Sequence, residues 1–287
     1  MDRQSGDLLK ARMTPDQKTY RVNGYDLSVL EAGHGIPLLL VHGSLCDQRI
    51  WPAQIEAFTG HYRVLALSLR HCWPEQWDGE GEGYDILRHA DDIAALIEQL
   101  GAGPVHLLGH SRGGHVSFRV AQHHPELLRS LILAEPGGQL DPALSDHGAP
   151  PPGTGLGRMF SDAADLIADG QIDAGLEVFI TAVGGPRAWK YSTEQFKAMA
   201  RDNAATLIGQ AREARPTFMK SEIESIAMPV LLMGGSLTRG HFPKVMDAME
   251  RLMPDASRVL IEGAGHPMYE QRPVQFNTAV LEFLSGR

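Results

Sequence analysis

The sequence predicts an α/β fold, with a mostly parallel central sheet flanked by helices, and three observations predict it. Short, solidly apolar runs recur along the chain, at Ile36–Val41, Tyr62–Ser68, Val105–Gly109, Leu131–Ala134 and Val230–Met233. Helix-like segments fill the intervals between them. Glycine bounds several of the runs. A strand covered by helices on both faces must be apolar on both, so it reads as an unbroken hydrophobic stretch. Strands of that kind alternating with helices yield a parallel sheet.

The elements follow in order. Thr19–Asn23 and Asp26–Glu31 surround Gly24 and read as a β-hairpin. Ile93, Leu96, Ile97 and Leu100 recur at the spacing of one helix face, and Gly101 ends that helix. A helix over Ser111–His123 continues directly from the Val105–Gly109 run. Near the end Pro273 suits a first helical turn, with Val274, Val280, Leu281 and Leu284 as its apolar face. Between Pro136 and Glu224 the alternation breaks. A Pro/Gly-rich stretch, HGAPPPGTGLG, leads into helix-like segments around Phe160–Asp169, Asp173–Thr181, Thr193–Arg201 and Ala204–Arg212. Residues 136–224 are therefore expected to form a helical cap inserted into one core domain made of 1–135 and 225–287. A chain of 287 residues is long enough for one such domain with a substantial core.

Composition narrows the function classes. The net charge of −9, with no Lys/Arg-rich block, is unfavourable for a surface that neutralises phosphates, so nucleic acid is not an expected partner. The opening MDRQSGDLLKARM lacks the apolar core of a signal peptide, and no stretch approaches the length needed to span a membrane. The two cysteines, Cys46 and Cys72, match no zinc or disulfide framework and read as free thiols. The chain is expected to be cytoplasmic, a monomer or homodimer, without cofactor or metal, and to act on a small molecule.

Chemistry concentrates in three segments. Gly109-His-Ser-Arg-Gly113 fits G-x-S-x-G between an apolar run and a helix, the context in which a sharp turn presents a serine for attack. Such a turn brings neighbouring chain close, and Gly109, Gly113 and Gly114 supply positions without bulk. Ser111 is the candidate nucleophile. His266 follows the run Arg258–Ile261 in the loop Gly263-Ala-Gly265, and an imidazole is the group that takes and returns a proton near neutrality.

With GHSRGG, the segments LLLVHGSLCD (Leu38–Asp47) and EGAGHPMYEQRP (Glu262–Pro273) resemble the α/β-hydrolase superfamily over roughly Arg21 to Phe283. The resemblance implies that His266 swings over Ser111 as the base. It also implies an oxyanion hole made by the backbone N–H groups of Ser44 and Arg112, with His42 organising its loop by hydrogen bonds. Most members carry the third group, an Asp, after the next-to-last strand. Here Gly234–His241 (GGSLTRGH) has no carboxylate. Glu135, ending Leu131-Ile-Leu-Ala-Glu, is the better candidate, similar in position to the acids of haloalkane dehalogenases and zearalenone lactone hydrolases. Asp247, inside an expected helix, and a water-bridged partner are the alternatives.

A serine nucleophile points to acyl transfer from an ester, lactone or thioester to water, and away from the halide and epoxide chemistry for which relatives use an aspartate. The same groups could serve carbon–carbon bond hydrolysis or cofactor-free oxygenation, and a non-catalytic ligand-binding protein is the reading from another class. Phe160, Phe179 and Trp189 are candidates for lining a pocket under the cap. Arg70 and Trp73 could edge it or serve structure.

Overall fold

A computed structural model describes residues 15–144 and 156–287. The opening segment, and most of the Pro/Gly-rich stretch expected ahead of the cap helices, lie outside the described residues. Eight strands form one sheet: β1 (Asp16–Val22), β2 (Tyr25–Ala32), β3 (Pro37–Val41), β4 (Arg63–Leu67), β5 (Val105–His110), β6 (Leu128–Ala134), β7 (Val230–Gly235) and β8 (Ala256–Ile261). Their order is β1-β2-β4-β3-β5-β6-β7-β8. β2 runs antiparallel to both neighbours, and the pairs from β4 through β8 are all parallel.

The apolar runs form strands because both of their faces find a hydrophobic partner. Leu39, Val41, Leu65, Leu107, Leu131, Leu133 and Leu232 point into one core layer. Their immediate neighbours Leu38, Leu40, Val64, Ala66, Leu108, Ile132 and Leu231 point into the other. This is the two-residue period of a strand with both sides buried. Each fully buried leucine contributes about 1.5–3 kcal/mol relative to exposure, so the sheet is the main source of stability.

Helices close both layers. α1 (Pro52–Phe58) and α12 (Pro273–Leu284) cover one face with Ile55, Phe58, Phe276, Val280 and Leu284. α2 (Ile86–Leu100), α3 (Arg112–His123) and α10 (His241–Leu252) cover the other. Asp85 caps α2 by accepting the Arg88 N–H at 2.9 Å, and Gly101, at φ 58°, ends it where the sequence sets the stop. In α12 the expected face is partly corrected: Val274 is 74% exposed, while Phe276 and Asn277 are buried. Pro273 stands at the start of the first turn, which turns Val274 outward and brings Phe276 onto the sheet.

Between β6 and β7 lie α4 (Leu156–Ala168), α5 (Ile172–Gly184), α6 (Ala188–Tyr191), α7 (Glu194–Asp202), α8 (Thr206–Arg212) and α9 (Lys220–Glu224). Ala163, Ile167, Leu176, Phe179, Ile180 and Leu207 form a third apolar cluster there, and Leu45 from the loop after β3 plugs into it. None of the described helices is long and apolar enough to cross a membrane.

Candidate active site

Parallel strands place their carboxyl ends along one edge of the sheet, and the loops that leave those ends share a rim. Ser111 leaves β5, Glu135 leaves β6, Gly235 ends β7 and His266 follows β8, so chain segments far apart in sequence meet there.

Ser111 sits between β5 and α3 at φ 52°, ψ −118°, a conformation that costs a non-glycine residue about 1–3 kcal/mol and persists only where its surroundings enforce it. The enforcement is visible: a Cβ on Gly113 would lie 2.3 Å from the Val41 carbonyl oxygen, so only glycine lets α3 start so close to β3. α3 itself begins at Arg112, one residue later than expected, because the serine occupies the turn.

Glu135 is fully buried, again at positive φ (43°). Its Oε1 accepts the Gly235 N–H at 2.8 Å, and its Oε2 accepts Nδ1–H of His266 at 2.6 Å. Burial pushes the Glu135 carboxyl above the ordinary carboxylate range, opposed by the Gly235 hydrogen bond. Burial likewise holds the His266 imidazole below its ordinary range, so it rests neutral. With Nδ1–H committed to Glu135, Nε2 is left as the atom able to take a proton. Gly235 makes this geometry available, since any Cβ there would lie 2.4 Å from the carbonyl oxygens of Ala264 and Gly265 in the histidine loop.

Two further residues grip the imidazole, and the sequence reading missed both. His110 donates from Nε2–H to the His266 carbonyl oxygen at 3.1 Å, and its ring lies 4.5 Å from the His266 ring. Phe242 stacks on the His266 ring, with the ring centres 4.1 Å apart. His110 occupies the variable position before Ser111, so the motif pointed at the place without its purpose. Nothing in the local sequence marks Phe242.

His42 donates Nδ1–H to the Gly43 carbonyl oxygen at 2.8 Å and accepts the Leu69 N–H at Nε2 at 3.0 Å, which holds the loop after β3 in place. A Cβ on Gly43 would come within 3.2 Å of the Ser111 Cβ, so this loop lies directly against the serine. The N–H groups of Ser44 and Arg112 donate to no acceptor among the described residues. The Ser44 hydroxyl is already committed, donating to Gln210 Oε1 of α8 at 2.8 Å. The Arg112 side chain turns away and clamps Glu213 through two bonds of 2.5 and 2.8 Å.

Ser44, Ser111, His110 and His266 open onto one cavity of about 450 Å³, walled on the far side by Phe179, Ile180 and Val183 of α5. Among the described residues the Ser111 hydroxyl makes no side-chain hydrogen bond. Catalytic hydrogen bonds are often long in unliganded sites and tighten once substrate is bound. Of the expected lining aromatics Phe179 does line this cavity, whereas Phe160 and Trp189 pack within the cap cluster. Trp73 lies under the Arg49 guanidinium at 3.9 Å, and Arg70, paired with Asp92 at 2.8 Å, lines a second hollow that contains none of Ser111, Glu135 and His266. Asp247 is 58% exposed and pairs with Arg258 at 2.5 Å, away from His266. Among the described residues no group of three or more His, Cys, Asp or Glu side chains could hold a metal ion.

A serine on a strained strand–helix turn, a buried imidazole–carboxylate pair and a cavity thus meet at the carboxyl rim of the parallel sheet. The chain belongs to the alpha/beta hydrolase family, whose sequence model matches residues 38–279. It is 25% identical to the soluble epoxide hydrolase of a Corynebacterium species, over 92% of this chain and 95% of that protein. It is 24% identical to the pimeloyl-acyl-carrier-protein methyl ester esterase of Vibrio cholerae, over 88% of this chain and 95% of that one. Among solved structures, the carboxylesterase CesB of Bacillus subtilis matches with a TM-score of 0.75 at 20% identity, covering 99% of this chain and 97% of the other, a likeness of fold.

Proposed function

We propose that this chain is a serine hydrolase that cleaves an ester, lactone or related acyl bond of a small molecule through Ser111, His266 and Glu135. The observation that supports the reading best is the 2.6 Å bond between His266 Nδ1 and Glu135 Oε2, on a histidine that shares a cavity with Ser111. In this reading His266 Nε2 takes the Ser111 proton as Oγ bonds to the substrate carbonyl carbon. Glu135 holds the tautomer and balances the imidazolium. The new oxyanion accepts from the N–H groups of Ser44 and Arg112. Collapse breaks the bond to the leaving oxygen, which receives the proton from His266, and an acyl-Ser111 ester remains. Water then attacks that ester, giving its proton to Nε2, and release of the acid restores the Ser111 hydroxyl.

Residues 136–224 act as the cap over a core of 1–135 and 225–287, with α5 as the cavity roof. A serine at position 111 favours acyl chemistry over the epoxide opening named for the Corynebacterium relative, since alkyl-enzyme formation calls for a carboxylate nucleophile. The enzyme is expected in the cytoplasm, where the buried free thiols of Cys46 and Cys72 stay reduced.

Turnover of p-nitrophenyl acetate tests the assignment. Ser111→Ala is expected to abolish it, and Glu135→Gln to lower kcat by about 10²–10⁴. A Glu135→Gln enzyme with wild-type kcat would remove Glu135 from the mechanism. A Ser111→Ala enzyme with full activity would remove the nucleophile.

A further inference from the structure

We infer that the acyl part of the substrate is uncharged and apolar, and that Glu270 at the cavity wall rejects acyl chains ending in a carboxylate. The inference rests on the hydrolase reading for the place where the acyl group sits, and it adds the charge of what sits there.

Among the described residues that line the cavity, none is Lys or Arg, and Glu270 is the single Asp or Glu. Residues 145–155, which precede α4 in the chain, hold no Lys or Arg either. His110 and His266 both line the cavity, and burial holds each below the ordinary imidazole range, so they supply no resting positive charge. Leu45, Phe179, Ile180, Val183 and Phe196 supply an apolar part of the wall, beside the uncharged polar groups of Tyr191, Ser192, Thr193 and Gln271. Glu270 forms no ion pair among the described residues; partial burial pushes its carboxyl above the ordinary carboxylate range, while its exposed side keeps it in contact with water and able to ionise. It belongs to α11 (Met268–Gln271), which begins two residues after His266, and Glu270, His266 and Ser111 line the same cavity.

A carboxylate entering this space would leave water, meet no counter-charge and face a like charge. An alkyl chain of the same length would carry no charge to desolvate and would gain from burial against the apolar part of the wall. The arrangement therefore discriminates by charge rather than by length, which a cavity of about 450 Å³ leaves loosely specified.

The experiment compares methyl hexanoate with monomethyl adipate, two methyl esters whose acyl chains are of equal length and differ by a terminal carboxylate. In the wild-type enzyme kcat/KM for methyl hexanoate is expected to exceed that for monomethyl adipate by about 100-fold or more. Glu270→Gln should narrow that ratio by about tenfold, and Glu270→Lys should narrow it further. Equal turnover of the two esters by the wild type would overturn the inference, and so would a ratio that Glu270→Gln leaves unmoved. Calorimetric titration of both esters into Ser111→Ala reads the same preference without chemistry. Tighter binding of methyl hexanoate supports the inference there, and equal or reversed affinity refutes it. Failure of a fluorophosphonate to label Ser111, with neither ester turned over, would defeat the hydrolase reading, and the titration would still decide the charge preference.

Discussion

At the scale of single residues, the site turns on how a carboxylate survives burial. Glu135 follows the apolar strand β6 with no exposure at all, and an isolated carboxylate there would be strongly unfavourable. Its two oxygens are satisfied by one backbone N–H and one imidazole N–H, which stabilise it and orient the ring. His266 is in turn held below the usual imidazole value of about 6.5 by its burial. In the proposed mechanism His266 is the general base and must be neutral to take the Ser111 proton, so the rate is lost only as pH falls through that lowered value. The plateau of kcat/KM should therefore extend below pH ~6.5, and an acid limb centred at or above that value would contradict it. Ser111 and His266 could be picked out in the sequence because each sits in a short motif next to an apolar run. Glu135 was visible for a physical reason, a charge directly after the run Leu131–Ala134, which is all Leu, Ile and Ala. His110 and Phe242 were not visible, since gripping a ring requires only a flat neighbour at the right distance, and that distance is set by three segments together.

At the scale of elements, the turn between β5 and α3 is tied to the helical segment between β6 and β7 through the side chain of Arg112. Its guanidinium forms two bonds to Glu213, just beyond α8, and Arg215 adds a third at 2.6 Å. The Glu213 side chain is fully buried, so its loss would leave two guanidinium groups facing each other without an anion. Glu213→Ala is expected to cost about 3–5 kcal/mol in urea unfolding, against under about 1 kcal/mol if the cluster were solvated. The Arg112–Glu213 pairing could not be seen in the sequence, because an ion pair across 101 residues leaves no periodic trace. The strands were legible for the opposite reason, since burial on both faces writes itself as an unbroken run. α6 and α9 were not anticipated, being only four and five residues long and too short for a face to repeat. Val274 misled because an apolar residue beside Pro273 fits the first turn equally well whether it faces in or out.

For the whole molecule, the sheet order explains why a rim exists at all, and the buried histidines set a limit on its stability. Burial lowers His42, His89, His110, His115, His241 and His266. In the unfolded chain each titrates near pH 6.5, so below that value the unfolded state binds protons that the folded state refuses. Stability is thus fully present above about pH 6.5 and is lost as pH falls. Thermal unfolding should show Tm falling steadily between about pH 7 and pH 5, and a flat or rising Tm over that window would refute the claim. The sequence shows thirteen histidines but not which are buried, and that sorting comes only from the packing of both sheet faces.

The most direct measurement is a rapid quench of the enzyme with p-nitrophenyl acetate, followed by peptide mass spectrometry. A serine made nucleophilic by His266 should give a burst of p-nitrophenol close to one per enzyme and one acetyl group on the peptide carrying Ser111. Steady turnover with no burst and no acetylated Ser111, even when the quench is applied within the first turnover, would contradict it.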